Sequence, residues 1–389
     1  MLVIYAVVLF LTCVLQFESA SSESEDNLIF VSVVFRHGNR APLVHYKNDP
    51  HKHNFPDGVG QLTKIGKANM YHKGKVLRQM YDGFISRNYR EDELYCTSTT
   101  IDRTLMTAQL VLAGMYPPSD SYHHFEPHLS WQPIPVHEDS PDKSFIFGHG
   151  HLCPRYSQVF YEQINRTTET LKEQGDIEEM LPYCATHCGE ELKTVADLGL
   201  LVDALKSEVA DGLELPSWVA NYYDPTLLGF LDLLMNVIVK TTEQKRLITG
   251  PLLKQIIDNM ISKSKRKLNP DRNMVLYSGH DFSILGLLGS ITKSEKMMPQ
   301  PEFGASLNIE LYRTQDDDHI VKVKYLRSFK DDDPQDISIP DCGTPCHLEK
   351  FAQITQYVIP ENWEAECHSN SHDDDSINHA APLGNNRPD

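Results

Sequence analysis

The segment Arg36-His37-Gly38-Asn39-Arg40-Ala41-Pro42 follows directly on the apolar run Ile29 to Phe35. A run rich in β-branched and aromatic residues, closed by Gly and Pro, reads as a buried strand. In α/β folds ligands lie beyond the carboxyl ends of such strands. The strand therefore delivers two guanidinium groups, one on either side of an imidazole, to the place where ligands bind. Arginine's planar fork matches phosphate geometry, and cations beside an imidazole lower its affinity for a proton. The expectation is a neutral His37 able to attack phosphorus, with Arg36 and Arg40 holding the phosphate. Gly38 allows the backbone to come close.

Far downstream, Asn273-Met274-Val275-Leu276-Tyr277-Ser278-Gly279-His280-Asp281 repeats the plan: a short apolar run, a small-residue turn, then a histidine followed by a carboxylate. Transfer of a phosphoryl group needs a nucleophile, positive groups around the equatorial oxygens and an acid for the departing alkoxide. The two segments together supply all three, with His280 as a phosphate contact and Asp281 as the acid.

R-H-G-N-R-A-P with S-G-H-D resembles the histidine acid phosphatase family, in the animal branch that includes prostatic, lysosomal and insect venom acid phosphatases. Further segments carry the likeness: Gln61-Leu62-Thr63, Asp102-Arg103-Thr104-Leu105-Met106, Trp131 to His137, Leu215 to Trp218, and Cys342 to Cys346. The resemblance implies that His37 becomes phosphorylated, Arg36 and Arg40 hold the phosphate, His280 contacts it and Asp281 protonates the leaving group. It implies no metal or other cofactor and a homodimer, and the need for a protonated Asp281 when the ester bond breaks predicts an acidic working range. One departure stands out. The family pattern R-S-T-D-x-D-R is replaced by Thr97-Ser98-Thr99-Thr100-Ile101-Asp102-Arg103, so Thr97 is expected where a third phosphate-binding arginine would sit. Such a loss costs on the order of a hundredfold in turnover. Thr100 is expected to loosen this loop, and Asp102 with Arg103 to form a structural pair. The rival reading is a weakened or inactive phosphatase-like secreted binding protein.

Met1 to Leu15 is almost wholly apolar, is too short for a membrane span and gives way to small and polar residues, which predicts a signal peptide over residues 1–21 and a secreted protein. Of the 8 cysteines, Cys13 lies in this leader and the remaining odd number leaves an unpaired thiol. The resemblance pairs Cys153 with Cys367 and Cys342 with Cys346. Where family members usually place a further cysteine, this chain has Ser306. Cys184 and Cys188 are expected to bond each other, leaving Cys96 as a buried strand thiol; the competing reading is zinc at Cys184, His187 and Cys188. Asn165-Arg166-Thr167 predicts N-linked sugar at Asn165, on a surface loop or helix end. A formal net charge of −18 disfavours nucleic acid and acidic membranes as partners, whereas small phosphomonoesters fit a local basic pocket.

Periodicity predicts an α/β protein with a mixed, mainly parallel sheet flanked by helices and an inserted α-helical lobe. The expected layout is residues 26–150 as the first part of the α/β unit, 151–245 as the lobe roofing the pocket, 246–367 as the second part, and 368–389 as a disordered tail. Helices are predicted from Lys64 to about Phe84, from Asp102 to a stop at Gly114, and from Pro251. Alternation at Leu307 to Tyr312 and Val321 to Tyr325 predicts an antiparallel hairpin. His149 and His151 are expected to be solvated, and Trp131 and Trp218 to fill core.

Overall fold

The computed structural model describes residues 26–138, 153–220 and 222–368. The leader, His149, His151 and the tail lie outside these residues. Strand β1 (Asn27–Arg36) is flanked on one side by β4 (Met274–Gly279), parallel to it, and on the other by β5 (Ser306–Arg313), antiparallel. The whole mixed sheet runs β3-β2-β4-β1-β5-β6-β7, with β2 Leu94–Ser98, β3 His137–Glu138, β6 His319–Leu326 and β7 Gln335–Asp336. Strands β3, β2, β4 and β1 are parallel, and β5, β6 and β7 continue antiparallel. The predicted hairpin is β5 with β6.

Strands in the middle of such a sheet are buried on both faces, which is why β1 and β4 read as continuous apolar runs. On one face Val31, Val33, Phe35, Cys96 and Leu276 pack under helices α1 (Lys64–Met80) and α2 (Asp102–Met115). On the other, Phe30, Val34, Val275 and Tyr277 meet helices α8 (Gly250–Ser264) and α9 (Asp281–Thr292). Helix α1 ends at Met80, short of Phe84. Helix α2 continues through Gly114, which was expected to stop it. The glycine serves packing instead, because a Cβ there would lie 2.1 Å from Tyr71 O of α1.

The inserted lobe consists of α3 (Pro154–Gln174), α4 (Met180–Cys188), α5 (Val195–Ala210), α6 (Leu228–Ile238) and α7 (Thr242–Ile248), packed around an apolar cluster of its own that also takes in Tyr46, Leu285 and Cys367. Cys153 is bonded to Cys367 and Cys342 to Cys346. The expected Cys184–Cys188 bridge is corrected: both are buried free thiols, as is Cys96. They lie one turn apart on α4, where Cβ atoms sit about 5–6 Å apart, beyond the roughly 3.5–4.5 Å that a disulfide spans. Burial pushes the Cys184 thiol up to about 12, so it stays protonated. His187, the third residue of the zinc reading, stacks flat on Trp218 at 5.3 Å. Trp131, expected in the core, is exposed. Asn165 is exposed within α3 rather than on a loop or at a helix end.

Candidate active site

Parallel pairing of β1 with β4 sets Arg36 opposite Gly279, and the His37 N–H donates to Gly279 O at 3.0 Å. The two motifs therefore leave neighbouring strands at the same level. The turn after β1 is held by close backbone approach. A Cβ on Gly38 would meet Met70 Cγ at 2.6 Å and Gly66 O at 2.8 Å, and the Gly38 N–H donates to Thr107 Oγ1. Thr63 Oγ1 caps the start of α1 by accepting from Gly66 N, which fixes the helix against this turn.

His37 is almost fully buried, its ring 5.5 Å from that of His280 and 5.8 Å from Phe303. Its Nδ1 lies 2.9 Å from Gly38 O. A carbonyl only accepts, so Nδ1 carries the proton and Nε2 keeps a lone pair for attack. Burial first, then the charges of Arg103, Arg36, His280 and Arg40, hold the imidazole well below the usual histidine range. The ring is therefore a neutral imidazole with an unshared pair on Nε2.

His280 is fixed by complementary contacts. It precedes α9, where its side chain accepts from the backbone of Ser283, and its Nε2 lies 3.3 Å from Thr99 Oγ1. The Thr104 hydroxyl donates to Ile101 O at 2.7 Å, so Thr99 spends its own proton on Thr104 Oγ1 at 2.6 Å and accepts from His280. His280 Nε2 thus carries the proton, held by the long 3.3 Å contact to Thr99 Oγ1, which a phosphoryl oxygen would have to replace. These threonine bonds also brace the loop, in which Thr100 is exposed.

Arg36 donates through Nη1 to Pro301 O at 2.5 Å, lies over the Phe303 ring at 4.1 Å, and places Nη2 2.9 Å from Asp281 Oδ2. Arg40 reaches into the lobe, where Nη2 donates to both oxygens of Asp203 at 2.9 Å and Nη1 to Ser207 Oγ. Asn39 spans the same gap, donating to Ala210 O and accepting from Asn69. Asp281 Oδ2 accepts from Gln300 Nε2 at 2.8 Å, and Oδ1 from the Phe282 N–H. Burial alone would raise its pKa, but the Arg36, His280 and Arg40 charges outweigh it and hold the carboxyl below the usual range. Without substrate, Asp281 is an ionised partner of Arg36.

The third guanidinium of the cluster belongs to Arg103. It is the strongest charge acting on both His37 and His280, and it feels Arg40, Asp281, Asp203 and Arg36 in turn. Burial and then Arg40 lower its pKa to about 9, which leaves it charged at acid pH. Asp102 turns away and accepts from Gln61 Nε2 instead, so the expected Asp102–Arg103 pair is corrected. Thr97 itself is buried near the end of β2. It lies within the β2 ladder opposite His137 and Tyr277, on the strand face opposite to Cys96 and α2. Arg36, Arg40 and Arg103 each retain a buried Nε–H with no protein acceptor. Buried donors of this kind cost about 1–3 kcal/mol each, and an anion would satisfy them.

Residues 27–326 match the family described as Histidine phosphatase superfamily (branch 2). The chain belongs to that family. This histidine phosphatase is 33% identical to human lysosomal acid phosphatase over 347 residues, covering 88% of the chain and 80% of the relative. It is 33% identical to rat prostatic acid phosphatase over 368 residues, covering 92% and 91%. In fold it is similar to the phytase of Hafnia alvei in complex with tartrate, at a TM-score of 0.66 and 18% identity, covering 89% of this chain and 99% of that one.

Sequence reasoning missed Arg103, Asp203, Ser207, Gln300 and Phe303. Only Arg103 carried a signal, since the Asp-Arg-Thr stretch had already been singled out. Asp203 and Ser207 stand four apart on a helix of the lobe and show their partner only when the lobe docks.

Proposed function

We propose that this histidine phosphatase is an acid phosphatase that hydrolyses phosphate monoesters through a phosphohistidine. His37 Nε2 attacks phosphorus while Arg36, Arg40, Arg103 and His280 Nε2–H neutralise the equatorial oxygens. The ester oxygen leaves with a proton from Asp281. Water then attacks the phosphohistidine, returning a proton to Asp281 and releasing inorganic phosphate with His37 neutral again. The bound phosphoryl group competes for Arg36 and adds negative charge beside Asp281, which raises the carboxyl's hold on a proton when it is needed.

One observation carries this reading: a histidine with a free, unprotonated Nε2 sits among three guanidinium groups that each have a buried donor to spare. A merely binding role is disfavoured because no part of the attack, charge-stabilising or proton-donating set is missing. Residues 1–21 as a leader, two disulfides, a glycan at Asn165 and a homodimer belong to the same reading, of a protein in an oxidising lumenal or extracellular space. A chromogenic phosphomonoester at about pH 5, followed by acid-free quench and detection of label on His37, tests it. Turnover without label would replace the covalent step, and no turnover above the His37→Ala background would end the reading.

A further inference from the structure

Glu208 lies on α5 one residue beyond Ser207, is 1% exposed, and neither of its carboxyl oxygens has a donor from the protein. Its hydrogen-bonding neighbour is another carboxylate, Asp49, itself 4% exposed. Both Asp49 oxygens already accept, Oδ2 from His45 Nδ1 at 2.6 Å and Oδ1 from the His51 N–H at 2.6 Å. Two carboxyl groups in such contact attract only if one holds a proton. The other titratable groups facing them are His45, on Asp49, and the neutral Tyr46, Tyr223 beyond α5 and Cys188 beside Tyr46, whose own ionisation burial opposes. Burial and then Asp49 push Glu208 up to about 8.

The position of this pair gives it a role. Residues 45–51 follow directly on the nucleophile turn and dock on the lobe through Asn48 N to Cys188 O, Asn48 Nδ2 to His187 O and His51 Nε2 to Glu214 O. Helix α5 holds Arg40 through Asp203 and Ser207, and Asn39 through Ala210 O. The segment after the phosphate loop and the helix that fixes Arg40 are thus clasped together where the two carboxyls meet.

We propose that Glu208 and Asp49 share one proton, and that this protonated clasp keeps α5 and the segment 45–51 in the arrangement that positions Arg40 for phosphate. Glu208 is a positioning residue and touches no substrate. The proposal rests on the phosphatase reading only for what the clasp serves. An acid whose pKa is raised by folding stabilises the fold fully below its ordinary value, and that stability drains away as pH rises from there to about 8.

The test compares the whole chain with Glu208→Gln, which donates the same hydrogen bond but does not titrate. Melting temperature and the Kd of inorganic phosphate are measured from pH 5 to pH 8. At pH 5 the two proteins should agree, within about twofold in Kd. At pH 8 the native chain should melt lower than the variant and bind phosphate more weakly relative to it, by roughly threefold or more. Parallel melting curves would overturn the shared proton, and divergent melting with a constant ratio of Kd values would overturn the link to Arg40. Should Glu208→Gln not fold, Asp49→Asn gives the same comparison, since its amide can donate to the Glu208 carboxylate. Neither readout requires turnover. A chain that melts and binds as expected but hydrolyses nothing would uphold the clasp and reject the phosphatase reading.

Discussion

Replacing Asp281 with Asn leaves the contact with Gln300 feasible but removes the proton owed to the leaving group. Turnover kcat should fall by about 10²–10⁴-fold with KM much less affected, as steady-state kinetics would show. The same residue sets the pH response. Its carboxyl is held low in the free enzyme and must be protonated in the complex, so activity is present at acid pH and lost as pH rises through the value in the complex. The arginines separate two readings of the loop after β2. Arg103→Ala should cost on the order of a hundredfold or more in kcat/KM. Thr97→Arg should give no gain and a lower Tm, because it forces an unpaired charge into the β2 ladder. A large gain from Thr97→Arg would restore the view that the pocket lacks an arginine. Sequence spacing alone does not say which side of a strand end faces the ligand, so the two substitutions are needed to choose between Thr97 and Arg103.

At the scale of elements, the site depends on how closely α1 approaches the turn after β1. A Cβ at Gly66 would fall 2.0 Å from Asn39 O, and the turn has no room to yield without moving Arg40. Gly66→Ala should destabilise by about 1–3 kcal/mol and raise KM, checked by thermal melting beside kinetics. The strand β1, the helix starting at Lys64 and the β5–β6 hairpin were legible because their periods survive in the sequence. The end of α2 was not, since Gly114 looks like a stop signal and is a packing glycine against α1. Nor was the state of Cys184 and Cys188, which counting suggested should pair and helical geometry keeps apart.

For the whole molecule, the Cys153–Cys367 bond ties the start of the lobe to the end of the described chain across a sequence separation of 214. Closing so long a loop restricts the unfolded state by about 5 kcal/mol. Cys153→Ser with Cys367→Ser should therefore lower the denaturation midpoint markedly while leaving the distant active-site geometry and kcat nearly unchanged. A midpoint equal to that of the native chain would assign the bond no stabilising role. That Arg36, His37 and Arg40 end one buried strand and His280 and Asp281 another was legible in the sequence, because each sits within a few positions of an apolar run, whereas the parallel pairing of β1 with β4 is what brings them together. The tertiary structure alone decided what surrounds them. Asp203 and Ser207 on Arg40, Gln300 on Asp281, Phe303 under Arg36 and the Glu208–Asp49 contact all join residues more than 15 apart. The pairings with Asp203, Ser207 and Glu208 are fixed by how the lobe docks on the sheet, those with Gln300 and Phe303 by the path of the segment between α9 and β5, and no local pattern in the chain encodes either.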